Sequence, residues 1–224
     1  MRRWNGWGDD ANHYPMPQGG ESFLEARIGP GHLLEDASLE SVLAQVPESR
    51  LPEDPLIDRS PEARVRHSRG QSLPDWLAMR SGRFEVFTDG VAFPESKEDI
   101  RRLLALARGK SWVLIPYGGG TSVAGHITPG AHKRPVLTIS LAKMNRLIDM
   151  ERTSQIATFG PGTPGPEVEA QLRPHGFVLG HYPQSYELST VGGWVVTRSS
   201  GQQSYRYGRI EQLFAGGTLE TFEG

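Results

Sequence analysis

The chain has 224 residues, 37% of them apolar, with a net charge of −2 and a pI near 6.4. That length suits one large domain or two small ones, and the apolar content supports a core. The charge balance excludes a basic nucleic-acid footprint, the absence of cysteine excludes disulfides, thiolate nucleophiles and cysteine-ligated zinc, and no apolar run is long enough to predict a membrane span.

Residues 1–82 carry eight of the 17 prolines and many charges. They read as an irregular, partly helical N-terminal extension. MRRWNGWGDD lacks the apolar stretch of a secretory signal. Ser60 is placed to cap a helix that has Pro61 at its first position, where a missing N–H costs nothing. In SLPDWLAMRSG, Leu73, Trp76, Leu77 and Arg80 share helical spacing, and Gly82 supplies the stop.

Regular alternation of helix and strand begins near residue 83. ESKEDIRRLLALARG predicts a helix capped by Ser96 with Asp99 three residues on, an apolar face of Ile100, Leu103, Leu104 and Ala107, and an end at Gly109. SWVLIPY, PVLTISL, SQIATF and FVLG read as strands. PEVEAQLRPHG reads as a short helix ending at Gly176. Thr190 is placed to cap a helix from Val191 with Val191, Trp194 and Val195 on its apolar side, although GWVVTR also fits a strand with Trp194 in the core. IEQLFA and TLETF, joined by Gly216–Gly217, predict a hairpin. The chain stops on that hairpin's second arm, so a fragment of a longer protein is expected.

Two glycine-rich turns compete as a phosphate site. GPGTPGPE places Gly160, Gly162 and Gly165 at the G-x-G-x-x-G spacing of dinucleotide-binding loops. Its prolines, Pro161, Pro164 and Pro166, remove N–H donors that such a loop needs, so a stiff strand-to-helix turn is the better reading. PYGGGTS keeps its donors. Pro116 and Tyr117 end the most apolar strand, and Gly118, Gly119, Gly120, Thr121 and Ser122 each retain an N–H. Consecutive glycines can fold such amides into an anion-binding nest, or simply make a flexible turn. His126-Ile127 stand where a Walker A loop has Lys and Ser/Thr, and Ala124 stands where a hydrolase elbow has glycine. Further along, Gly192 and Gly193 fall in the first turn of the helix from Val191, open to close approach of another molecule to free N–H groups. Arg198 to Gln203 form a polar loop that could hold a ligand or face water. The histidine pairs His126/His132 and His175/His181 lie six apart, off any shared helix face, and no carboxylate dyad is visible, so neither metal ligands nor catalytic residues are assigned.

Taken in order, DGVAFPESKEDI, PYGGGTS, PQSYELSTVGGW, TRSSG and Tyr207-Gly208 resemble the FAD-binding domain of the vanillyl-alcohol oxidase / p-cresol methylhydroxylase (PCMH-type) superfamily. RRWNGWG and DWLAMRSG resemble its alkyldihydroxyacetonephosphate synthase branch in particular. The resemblance covers most of the chain and is densest from 83 to 214. It implies an α+β fold: a PCMH-type FAD-binding domain of two α/β subdomains, 83–150 and an incomplete 151–224, behind the 1–82 extension. PYGGGTS would cradle the FAD diphosphate. Gln184, Ser185, Ser189, Thr190, Thr197, Arg198, Ser199, Ser200, Gly201, Gln202 and Gln203 would supply further contacts, with Gly192 and Gly193 passing close to the cofactor. This sequence departs from the synthases at Gln184, where they carry an acid, and at Gln203 and Ser204, where they carry basic residues. Members with covalent flavin on this loop have histidine after the paired glycines. Thr121 stands there instead, which implies non-covalent FAD. A small-molecule or lipid-like substrate, a homodimer as one expected assembly and a cytoplasmic location are expected as well, and the charge balance predicts no nucleic-acid partner. The parent reaction is expected to be acyl-for-alkyl exchange on dihydroxyacetone phosphate, of the ether-lipid type. The alternatives are FAD-linked oxidation of a 2-hydroxy acid or related alcohol, and a non-catalytic binding module.

Overall fold

A computed structural model describes residues 2–12, 14–32 and 35–224. In chain order the elements are α1 (Gly20–Ile28), α2 (Leu39–Leu43), β1 (Ile57–Asp58), α3 (Pro61–Arg66), α4 (Leu73–Ser81), β2 (Gly90–Ala92), α5 (Lys97–Lys110), β3 (Val113–Tyr117), β4 (Val136–Ser140), β5 (Leu147–Glu151), β6 (Ile156–Phe159), α6 (Gly165–Leu172, continued by a 3₁₀ turn over Arg173–His175), α7 (Val191–Thr197), α8 (Ser204–Tyr207) and α9 (Ile210–Leu213).

Serine caps start α3 and α5 as their sequences predict, whereas Thr190 stands at the head of the helix α7 with no side-chain capping bond. Ser60 Oγ accepts the Ala63 amide at the head of α3, with Pro61 in the first turn. Ser96 and Asp99 form a reciprocal capping box on α5. That helix runs through Gly109 rather than stopping there. Ser111 takes the left-handed position instead, at φ 55°, because one glycine in a last turn does not outweigh the buried Leu103 and Ala107 behind it. In α4, Asp75 and Met79 are buried while Leu73 and Leu77 face outward. Asp75 is drawn in by hydrogen bonds from Ser72 and from Thr128 of a distant loop.

The main sheet has the order β1-β2-β4-β3, with β2, β4 and β3 parallel and β1 antiparallel at one edge. All five residues of β4 are buried, as a central strand with both faces covered requires. Leu103 and Ala107 of α5 pack there with Ala92, Leu137, Ile139 and Trp112. Leu51 and Ile57, from the first 82 residues, join the same core. At the other edge β3 runs into the glycine turn.

A second sheet pairs β5 and β6 antiparallel. Met150, Ala157 and Phe159 pack on a cluster of Val168 and Leu172 from α6, Trp194 from α7 and Ile210 from α9. GPGTPGPE links β6 to α6 and packs against residues 141–146, which connect the two sheets. Its glycines serve close backbone packing, since a Cβ on Gly160 or Gly162 would run into the carbonyls of Met144 or Leu141. Amides of Val191 and Gly192 donate to Thr163 and Pro161 of that turn, at 3.0 and 2.8 Å.

Two expected strand elements are corrected. FVLG is not a strand, because the amides of Leu179 and Gly180 donate to the buried Glu169 carboxylate instead of a neighbouring strand. No hairpin spans Gly216–Gly217. Ile210–Leu213 is a helix anchored by the buried Ile210, and residues 214–220 have no regular structure. LIDME, which the sequence pattern leaves unassigned, is β5.

Candidate cofactor site

Pro116 is exposed on β3, while Tyr117 is buried beneath the glycine turn. The Tyr117 ring lies 4.7 Å from that of His67 and its hydroxyl donates to the Arg66 carbonyl. Burial pushes the Tyr117 pKa up and that of His67 down. This side chain therefore supports the turn from below. Beyond it, none of the amides of Gly118, Gly119, Gly120, Thr121 and Ser122 donates to an acceptor among the described residues. Gly120 holds φ 70°, a left-handed conformation that glycine adopts without strain. The Ser122 hydroxyl pairs with His126 Nδ1 and accepts the Ala124 amide.

The turn meets the second predicted stretch directly. A Cβ on Gly118 would run into Thr190 Oγ1, and a Cβ on Gly119 into the Leu188 carbonyl. The segment between Pro183 and Thr190 is built for this approach by tight turns. The Tyr186 amide donates to the Pro183 carbonyl, and the Ser185 carbonyl accepts the amides of Leu188 and Ser189. Gln184 is exposed and Ser185 half-buried. The Ser189 hydroxyl is committed within the protein, donating to Ser185 and accepting from Trp194 Nε1 at 2.7 Å. Thr190 is buried, yet its Oγ1 has no hydrogen-bond partner.

At the head of α7, Gly192 is not open to an outside molecule. Its amide is taken by Pro161, and a Cβ there would run into that same proline. Gly193 keeps an amide with no acceptor among the described residues. Thr197 turns its hydroxyl back onto the Gly193 carbonyl. Arg198 ends the helix in a left-handed conformation, with its guanidinium 3.4 Å from Glu211. Ser199 pairs with the buried His181, whose pKa burial pushes down and whose Nδ1 has no partner. Gly201 and Gln202 pack on Tyr182, at the other end of the 183–190 segment, while Ser200 and Gln203 face solvent. Within the predicted 184–190 stretch the structure singles out Leu188, whose carbonyl closes on Gly119, and sequence reasoning missed Arg2, whose Nη2 donates to the Gly119 carbonyl at 2.6 Å.

The donor set suits a nucleotide diphosphate: adjacent bare amides, a buried hydroxyl without a partner, and no acidic side chain drawn onto the turn by any hydrogen bond among the described residues. Among the described residues no cluster of histidine and carboxylate side chains could hold a metal, and no helix is long and apolar enough to cross a membrane.

Comparison with known proteins agrees with this geometry. Residues 88–224 match the FAD binding domain family. The alkyldihydroxyacetonephosphate synthase of Dictyostelium discoideum is 39% identical over 72% of this chain and 28% of its own length. That of Trypanosoma brucei brucei is 29% identical over 94% of this chain and 40% of its own. A solved structure of an alkyldihydroxyacetonephosphate synthase superposes with a TM-score of 0.80 at 31% identity, over 94% of this chain and 46% of that one. The chain thus spans less than half the length of these relatives. With its sequence and fold both matching theirs, it belongs to the FAD binding domain family, in the PCMH-type superfamily, and FAD is its cofactor.

Proposed function

We propose that the chain holds FAD non-covalently, with the diphosphate against the amides of Gly118–Ser122 and the Thr190 hydroxyl. The observation that carries this reading is the meeting of five unengaged amides with a buried, unpartnered Oγ1. To this site we also assign contacts from Gly193, whose amide has no acceptor among the described residues, and from the exposed Ser200, Gln202 and Gln203, in a second unit read as 151–224 beside 83–150 and the 1–82 extension. Thr121 offers no imidazole for a covalent link, so denaturation releases the flavin into solution. Bound FAD supplies the redox-active ring system, and these residues bind and orient it.

The Thr190 hydroxyl tests the site. Without cofactor, an unsatisfied buried hydroxyl costs about 1 kcal/mol or more. Thr190→Val should therefore leave the apoprotein as stable as before, or more stable, while weakening FAD about tenfold, equivalent to about 1.4 kcal/mol. Thermal melting of the apoprotein and titration of flavin fluorescence read the two quantities separately. An unchanged FAD affinity would remove Thr190 from the site.

For the whole protein we infer acyl-for-alkyl exchange on a dihydroxyacetone phosphate ester, supported by the similarity to the synthases over 94% of this chain. The same reading takes a lipid-like substrate, a homodimer and a cytoplasmic location. Full-length protein supplied with an acylated dihydroxyacetone phosphate and a labelled fatty alcohol should place the label in the ether product without net bleaching of the flavin. Bleaching by a 2-hydroxy acid, with no label transferred, would assign the protein to oxidation instead.

A further inference from the structure

We propose that Arg2 is a positioning residue for the cofactor turn, closing a ring of contacts behind it. The inference rests on reading Gly118–Ser122 as the diphosphate cradle. Three consecutive glycines have wide conformational freedom, and freedom lost on binding subtracts from affinity. Something must restrain the turn in advance if it is to bind well.

The restraint lies on the side away from the Gly120 amide. Arg2 Nη2 donates to the Gly119 carbonyl at 2.6 Å. The Arg2 carbonyl accepts from Arg66 Nη1 at 3.2 Å. The Arg66 carbonyl accepts from the Tyr117 hydroxyl at 3.2 Å. That hydroxyl abuts Gly120, where a Cβ would run into it. The chain from Tyr117 to Gly119 closes the ring. Arg2 is itself held by a buckle: its backbone forms an isolated antiparallel β-bridge with Asp9, the Arg3 amide donates to the Gly8 carbonyl, and Trp4 packs on Val42, Val65 and Phe87.

Peptide geometry makes this contact productive. The Gly119 carbonyl and the Gly120 N–H belong to one peptide unit, and in a trans peptide they point in opposite directions. Arg2 therefore sits opposite the space that the Gly120 amide faces and does not compete with an anion there. A guanidinium on the carbonyl also polarises the unit and makes the N–H a stronger donor. Its positive charge stands on the side of that peptide opposite the Gly120 N–H and, being exposed, is screened as salt rises.

The test uses full-length apoprotein and three measurements: FAD affinity by flavin fluorescence at low and high salt, the apo melting midpoint, and hydrogen exchange of the 118–122 amides without cofactor. Arg2→Ala should weaken FAD about tenfold, as loss of a charge-assisted hydrogen bond does. It should reduce the salt dependence of binding, speed exchange at the turn and leave the melting midpoint unchanged. Arg2→Lys should recover part of the affinity. Tyr117→Phe should weaken FAD similarly, and the double variant should lose less than the two single losses combined, since both act through one ring. If Arg2→Ala binds FAD like the wild type while Gly119→Val does not, the positioning role is wrong and the cradle stands. If both bind normally, the cradle itself is misplaced. A melting midpoint that falls in step with affinity would reduce Arg2 to a general structural contact and overturn the proposal.

Discussion

Gly119→Val should abolish FAD binding, with at least a hundredfold loss of affinity (about 2.7 kcal/mol). The obstacle is packing. Gly119 does not adopt a left-handed backbone, so a side chain is conformationally admissible. Its Cβ, however, falls on the Leu188 carbonyl, and backbone cannot swing aside as a side chain can. The 188–190 segment must move off the turn, which separates the bare amides from Thr190. The main core around Leu103, Leu137 and Ile139 contains neither segment and keeps the apoprotein folded. Flavin titration beside circular dichroism of the apoprotein checks both halves. Wild-type affinity in a folded variant would show that the diphosphate lies elsewhere.

Trp194→Ala should be the most destabilising single change in the second unit. The indole is 2% exposed among Val168, Leu172 and Ile210, and His181 sits edge-on at 5.0 Å. Removing a buried tryptophan costs about 3–5 kcal/mol. In a chain of this size each kcal/mol lowers the melting midpoint by about 2–4 °C. The loss should reach the cofactor site as well, because the indole N–H anchors Ser189, the neighbour of Thr190. Trp194→Phe separates the effects. Most of the packing survives, the hydrogen bond does not, and about 1 kcal/mol should be lost with a clear weakening of FAD. If Trp194→Phe binds FAD normally, Ser189 does not position Thr190.

What the sequence disclosed was local. The α5 capping box, the Pro61 and Gly176 signals and the donor-rich character of PYGGGTS are properties of a few adjacent residues, and each stands in the structure. Rejecting GPGTPGPE as a phosphate loop needed only the three prolines. The errors came from contacts outside the local pattern. FVLG has a strand's composition, but the Glu169 carboxylate satisfies the amides that a neighbouring strand would have taken. In α4 the apolar spacing named Leu73 and Leu77, whereas Thr128, 53 residues from Asp75, helps decide which face is buried. LIDME looks polar for a strand because its two-stranded sheet leaves much of it exposed. The hairpin failed because Ile210 finds a buried place beside Trp194, and a helix delivers it there. For the cofactor site, the glycine run showed where the amides are. That Arg2 backs them, and that Gly192 is occupied by Pro161, depends on contacts no local pattern encodes.

The interlock of Gly119 with Leu188 also sets an order of events during synthesis. With the diphosphate held as proposed, the glycine turn leaves the ribosome with the first sheet but is half a receptacle until Thr190 has followed it out, because contacts so distant in sequence form late. A nascent chain that has not reached that threonine should not retain flavin, so cofactor loading reports that the second unit has docked.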